Sequence, residues 1–186
     1  MRHGGTKRLE TERLVLRRFT VEDAPQMYAN WASDPVVTEF LTWPTHDSVE
    51  VTRQVLTSWV EGYARPDAYN WALELKESGE VIGSLSVVRA DDDIDELELG
   101  WCMGRAYWGR GLMPEAAAAV VGYLFDEVGA NRICAKHDVN NPKSGRVMEK
   151  IGMRLEGVHR QAGRNNKGVV DLAVHAVLAS DRREGK

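Results

Sequence analysis

Two glycines stand between a strand pattern and a helix pattern, and this order constrains the fold more than any other stretch. Glu96–Met103 alternates as a strand. Tyr107-Trp108-Gly109-Arg110-Gly111-Leu112-Met113 follows as a turn, and Pro114–Val128 carries a strong helix pattern. Glycine lets the backbone turn sharply and approach a ligand without a side chain in the way. A helix N-terminus adds unpaired N–H groups and the positive end of a dipole. The combination suits a phosphate or pyrophosphate held by backbone amides.

The rest of the chain supplies the sheet around this unit. Leu14–Arg17 reads as a first strand. Thr20, with Asp23 three residues on, caps a helix through Trp31, which Ser33-Asp34-Pro35 ends. Asp47 or Ser48 starts a second helix with Val51, Val55, Trp59 and Tyr63 on one face. Trp71–Leu75 and Val81–Val88 form a hairpin around Ser78-Gly79. Ile133–Val139 is a strand, Lys143–Ile151 a short helix ended by Gly152, and Arg154–Arg160 and Val169–Leu178 two closing strands. Pro114 suits the first helical position, where its missing N–H would be unpaired anyway. The expected fold is one α+β domain with about seven strands and about four helices. The middle of its sheet is antiparallel, and a strand–helix–strand crossover runs from Glu96 to Val139. Residues 1–10 and 180–186 are set apart as tails around a domain at 11–179.

Composition narrows the function. At 186 residues the chain can bury a full core. A net charge of −4 argues against general nucleic-acid binding. No apolar run reaches the ~20 residues of a membrane helix, and no apolar stretch follows Arg2 as a secretory signal requires. Cys102 and Cys134, with no CxxC pattern, fit reduced thiols in a cytoplasm, although their spacing does not rule out a disulfide. The acidic run Asp91–Glu96 lacks the glycine and final glutamate of a calcium loop and reads as solvated; its lesser reading is attraction of a cationic substrate. No metal site is expected. His46, His159 and His175 show no nucleophile or metal spacing; His137, just before the Asn pair, reads as a residue bordering the cleft or, more plainly, as a lone structural strand histidine.

The glycine turn is neither a P-loop nor the dinucleotide fingerprint, since GxxxxGK[ST] is absent and Pro114 replaces the third glycine. A second cluster gives it meaning. Asn140-Asn141-Pro142-Lys143-Ser144 lies where the next strand ends and the next helix begins, so both clusters face one cleft.

Several ordered motifs carry a resemblance. Glu98-Leu99-Gly100-Trp101, the segment Tyr107–Ala116, and Asn141–Met153 resemble the GNAT acyl-CoA N-acyltransferases. Thr11–Arg17 and Ser33–Trp43 resemble the opening segments of the ribosomal-protein-alanine N-acetyltransferase branch, and the likeness extends over Thr11–Leu178. It implies a mixed, mostly antiparallel sheet splayed between its fourth and fifth strands, with acetyl-CoA as cosubstrate in the splay. Trp101, Cys102 and Met103 would pair with pantetheine. Trp108, Gly109, Arg110, Gly111, Leu112 and Met113 would form the pyrophosphate loop, with Asn140, Asn141 and Ser144 beside pantetheine and thioester. The wider superfamily has Gln or Arg where Trp108 stands and Gly or Ala where Met113 stands. Pro114 removes an amide that relatives with Thr there would offer, which implies modestly lower CoA affinity.

A neutral amine attacking a thioester needs a base and a proton for the leaving sulfur. Glu98, whose strand ends in the cleft, is the first candidate base; a solvent-facing strand carboxylate is the plain alternative. Relatives carry a tyrosine where this chain has Met148, so Ser144 is the candidate acid, against a hydroxyl merely bonded to its own helix. Phe40 and Trp43 would line the acceptor site. Neither cysteine has a base beside it, which favours direct attack in a ternary complex. The expected acceptor is the N-terminal α-amine of a protein, and the resembling branch implies a ribosomal one. A small-molecule amine, or a non-catalytic CoA-binding module, are the alternatives. Neither a nucleic acid nor a membrane partner is expected, and a homodimer is compatible with the sequence.

Overall fold

The computed structural model describes residues 1–184, and the last two residues of the segment set apart as a C-terminal tail lie outside them. An eight-stranded sheet carries the molecule, with strand order β1-β2-β3-β4-β5-β6-β8-β7. Its strands are β1 (Leu9–Glu10), β2 (Leu14–Arg18), β3 (Asn70–Leu75), β4 (Val81–Asp91), β5 (Glu96–Met103), β6 (Arg132–Asp138), β7 (Arg154–Asn165) and β8 (Gly168–Leu178). Every neighbouring pair is antiparallel except β5 and β6, which the crossover makes parallel. The strand beyond the expected set is β1, paired with β2. The segment before Thr11 packs on the sheet: the Met1 amine donates to Asp95 at 2.9 Å, and His3 Nε2 lies 2.9 Å from Asp92. The acidic run stays largely exposed, as read from sequence, and also bonds Met1 and His3.

Among the described residues the helices are α1 (Ala24–Met27), α2 (Pro35–Thr38), α3 (Val49–Gly62), α4 (Leu112–Tyr123), α5 (Pro142–Lys150) and α6 (Asp181–Glu184). The single helix expected through Trp31 is instead a 3-10 turn, α1 and a wider π turn over Tyr28–Ala32. At its start the Asp23 carboxylate accepts from the Thr20 amide at 2.8 Å and from both terminal nitrogens of Arg17. On α3 the buried positions are Thr52 and Leu56, while Val51, placed on the inner face from sequence, is 37% exposed. Ser48 rather than Asp47 caps this helix.

Two cores sandwich the sheet. Leu97, Leu99, Ile133 and Ala135 pack beneath α4 and α5, and Ala72, Val81 and half-buried Cys102 face α1 and α3. Residues of β5 therefore alternate: Glu98 and Cys102 face the α1–α3 side, and Leu99 and Trp101 the α4–α5 side.

Candidate active site

The pairing of β5 with β6 stops early. It runs from Glu96↔Arg132 to Leu99↔Ala135. Beyond it, Gly100–Met103 stay paired to β4, and Lys136–Asp138 stay paired to β8, but not to each other. The sheet opens there into a splay. This is the gap expected between the fourth and fifth strands, renumbered by the extra β1.

The glycine turn lies at the end of one arm. Gly109 and Gly111 have φ values of 75° and 76°, in the left-handed region where a side chain is strained. Gly111 is the N-cap of α4, so the helix starts at Leu112 and Pro114 is its third residue, not its first. The reason is that any of the first four N–H groups lacks an intrahelical partner, so proline fits there equally. The first i→i−4 bond runs from Glu115 N to Gly111 O at 3.2 Å. Among the described residues, the amides of Gly109 to Met113 donate to no protein acceptor outside the helix. The side chains of Leu112 and Met113 are core, so only their backbone can meet a ligand.

A brace that sequence reasoning did not identify holds this turn. The Arg13 guanidinium donates to Glu115 Oε2 at 2.7 Å and to the Arg110 carbonyl at 2.9 Å, and Thr11 Oγ1 bonds Glu115 at 2.6 Å. Burial pushes the Glu115 carboxyl up, but the Thr11 and Arg13 donors outweigh it and hold it below the usual range.

The second arm ends in the turn Val139–Asn141, from which α5 starts. The two asparagines part company. Exposed Asn140 commits its amide to Asp138, while the half-buried Asn141 side chain has no partner among the described residues. Among the described residues the half-buried Ser144 hydroxyl has no hydrogen-bond partner either, and the local backbone bond weighed from sequence is not made. Gly145 is needed for close approach: a Cβ there would lie 2.8 Å from His137 Nε2.

On the opposite face, Glu98 is an ion-paired carboxylate, only 14% exposed. Lys136, across on β6, donates to Oε2 at 2.8 Å, and Oε1 has no partner among the described residues. Alternation along β6 could have found Lys136 as a neighbour of Glu98. Cys102 turns its sulfur toward Ser84 Oγ at 3.2 Å, and both cysteines are free thiols. Burial pushes the Cys102 and Cys134 thiols up to about 11. Neither is a thiolate nucleophile near neutral pH. Trp101 is half-buried against the α4–α5 core, and the Met103 carbonyl accepts from Trp108 Nε1 at 2.7 Å.

Phe40 and Trp43, both half-buried, lie on the loop after α2. The tip of the β7–β8 hairpin clasps this loop. Asn166 Nδ2 donates to the carbonyls of Thr38 and Trp43 at 2.8 Å each, and Lys167 lies over the Phe40 ring.

A family model described as an acetyltransferase (GNAT) domain matches residues 13–154. The chain belongs to the GNAT acetyltransferases. This GNAT chain is 29% identical to an uncharacterized N-acetyltransferase, p20, of Bacillus licheniformis over 170 residues, 91% of this chain and 95% of that protein. The ribosomal-protein-serine acetyltransferase of Escherichia coli (strain K12) is 27% identical over 137 residues, 73% of this chain and 75% of that protein. The crystal structure of a GNAT-family acetyltransferase from Bacillus anthracis superposes with a TM-score of 0.82 at 27% identity, covering 94% of this chain and 99% of that one. The expected GNAT fold and acetyltransferase class therefore hold for this chain.

Proposed function

We propose that this GNAT enzyme transfers the acetyl group of acetyl-CoA to the N-terminal α-amine of a protein chain, in a cytoplasmic setting. The observation that carries the acetyl-CoA reading is the splay after Leu99 and Ala135, with the free amides of Gly109–Met113 at its end. In this reading the loop Trp108–Met113 holds the pyrophosphate by backbone N–H groups. The edge of Trp101–Met103 that faces away from β4 meets the pantetheine amides, apart from the Met103 carbonyl, which Trp108 Nε1 occupies, and Asn141 lies beside them. Asn140, whose amide is committed to Asp138, helps only through its backbone turn.

Glu98 takes the amine proton on Oε1, directly or through water, as nitrogen bonds to the thioester carbon. The carbon–sulfur bond then breaks. Ser144 donates to the leaving sulfur and passes it a proton, which solvent replaces. The raised cysteine pKa values favour this direct transfer over an acyl-cysteine intermediate.

Phe40 and Trp43 form the acceptor wall. Likeness to the Escherichia coli ribosomal-protein-serine acetyltransferase supports an α-amine acceptor. The test is thiol release from acetyl-CoA against peptides with free N-termini, polyamines and aminoglycosides. Release with Ala- or Ser-starting peptides supports the reading. Release with small amines only moves the acceptor to that class, and no release with any amine overturns the transferase mechanism.

A further inference from the structure

We propose that Asp138 is a positioning residue that fixes the cofactor-side turn and the acceptor-side hairpin to one another. Its catalytic consequence rests on the acetyl-CoA reading above; the tie itself does not.

Asp138 ends β6, at the inner tip of one arm of the splay, and is only 4% exposed. A buried carboxylate is costly unless its oxygens accept hydrogen bonds. This one is satisfied from two directions. Oδ1 accepts from the Asn140 backbone amide at 2.9 Å and from Asn140 Nδ2 at 3.0 Å. Oδ2 accepts from Asn165 Nδ2 at 2.8 Å, across to the far strand of the hairpin. Its own carbonyl accepts from Asn141 N at 2.7 Å, and the Asn141 carbonyl accepts from Ser144 N at 3.2 Å. One residue thus shapes the turn that presents Asn141 and Ser144.

The other direction leads to the acceptor wall. Asn165 Oδ1 accepts from Lys167 N at 2.8 Å, which sets the hairpin tip. Asn166 then bonds the loop carrying Phe40 and Trp43, through the side-chain bonds above and through its own amide to the Leu41 carbonyl at 3.2 Å. A path of hydrogen bonds, joined by the short backbone links within Asp138 and across Asn165–Lys167, runs from Ser144 to Trp43. Each donor and acceptor has a single workable orientation. Flipping the Asn165 amide would give Asp138 an oxygen and Lys167 N a donor, losing both bonds.

This fixed polarity permits a swap experiment. Asp138→Asn sets an amide nitrogen among donors, and Asn165→Asp sets two carboxylates face to face. The double variant reverses the pair and restores every bond: the new amide donates to the new carboxylate, whose second oxygen still accepts from Lys167 N. Amide hydrogen exchange on the free protein is the first readout. Each single variant is expected to speed exchange at both Asn141 N and Asn166 N about tenfold, and the double to return them to near wild type. Asn165→Ala removes the donor to Asp138 and the acceptor for Lys167 N without adding charge, and decides the tie should either single swap variant fail to fold. Unchanged exchange at Asn141 in the Asn165 variants, or a double no slower than the faster single, overturns the tie.

The second readout adds coenzyme A. Protection at Gly109–Met113 is expected in all variants, and protection that reaches Asn166 only in wild type and the double. A merely structural Asp138 would not make that distinction, so equal protection of Asn166 in all variants, or none in wild type, overturns the positioning role. Absence of protection at Gly109–Met113 in wild type overturns the acetyl-CoA reading instead, and the free-protein arm still decides the tie.

Discussion

Lys143 holds its ammonium 4.5 Å from the centre of the Trp108 ring, and this contact joins the first turn of α5 to the loop that follows β5. The two residues belong to opposite arms of the splay, so the contact spans its mouth on the α4–α5 side. Among the described residues Lys143 has no carboxylate partner. A cation kept free of ion pairs beside a row of unpaired amides is placed to meet phosphate oxygens. Lys143→Met is therefore expected to weaken coenzyme A binding about fivefold, roughly 1 kcal/mol. Titration calorimetry at low and high salt checks this, because screening should shrink the difference. Equal affinity of variant and wild type at low salt would remove Lys143 from the site.

Glu98 offers a sharper kinetic signature. Its Oε2 is engaged by Lys136, which leaves Oε1 for the amine proton. Glu98→Gln keeps the shape and one acceptor but cannot take a proton. The turnover number is expected to fall about a hundredfold, with the KM for acetyl-CoA little changed. Steady-state thiol release on an accepted amine measures it. A variant that keeps its turnover would leave Glu98 as a strand carboxylate held by a lysine.

How far the sequence reveals the site depends on how local each signal is. β5 falls on its expected residues because alternation over Glu96–Met103 is a property of the strand itself. The glycine turn was legible because positive φ at Gly109 and Gly111 demands a residue without a Cβ. α4 begins two residues before the expected Pro114, since proline is tolerated throughout the first helical turn. β7 and β8 outrun their expected ends because each pairs with the other and their tip is held by a loop more than a hundred residues away. Asp138 gave no local signal: the partner that makes a buried carboxylate tolerable, Asn165, is 27 residues along the chain.

Gly111 tests whether the loop geometry or merely its flexibility matters. A Cβ at Gly111 meets only the Arg13 guanidinium, at 3.6 Å, so the space is adequate. The cost of Gly111→Ala is conformational, about 1–2 kcal/mol for an alanine held at φ 76°. A Tm lower by roughly 2–8 °C is expected in a chain of this size. Coenzyme A affinity should fall as well, because the strained loop can relax by turning its amides away. A lowered Tm with unchanged affinity would show that these amides do not bind the ligand.

Two buried imidazoles set the acid limit of the fold. His175 is 3% exposed and its Nδ1 has no hydrogen-bond partner among the described residues; burial, reinforced by His137, holds its pKa below the ordinary value. Burial lowers His46 likewise, with Nδ1 bonded to Thr52. In the unfolded chain both take up a proton near pH ~6.5, but in the folded protein only at lower pH. Below about pH 6.5 the unfolded state therefore binds more protons, and stability falls as pH falls. Above that value the contribution is fully present. Thermal unfolding followed from about pH 7.5 down to about pH 5 should show a declining Tm before most carboxylates titrate. His175→Phe keeps a flat ring in the pocket and cannot titrate, so its Tm should decline less over the same interval. A wild-type Tm that stays level across that range, or an equal decline in both proteins, would place the acid sensitivity elsewhere.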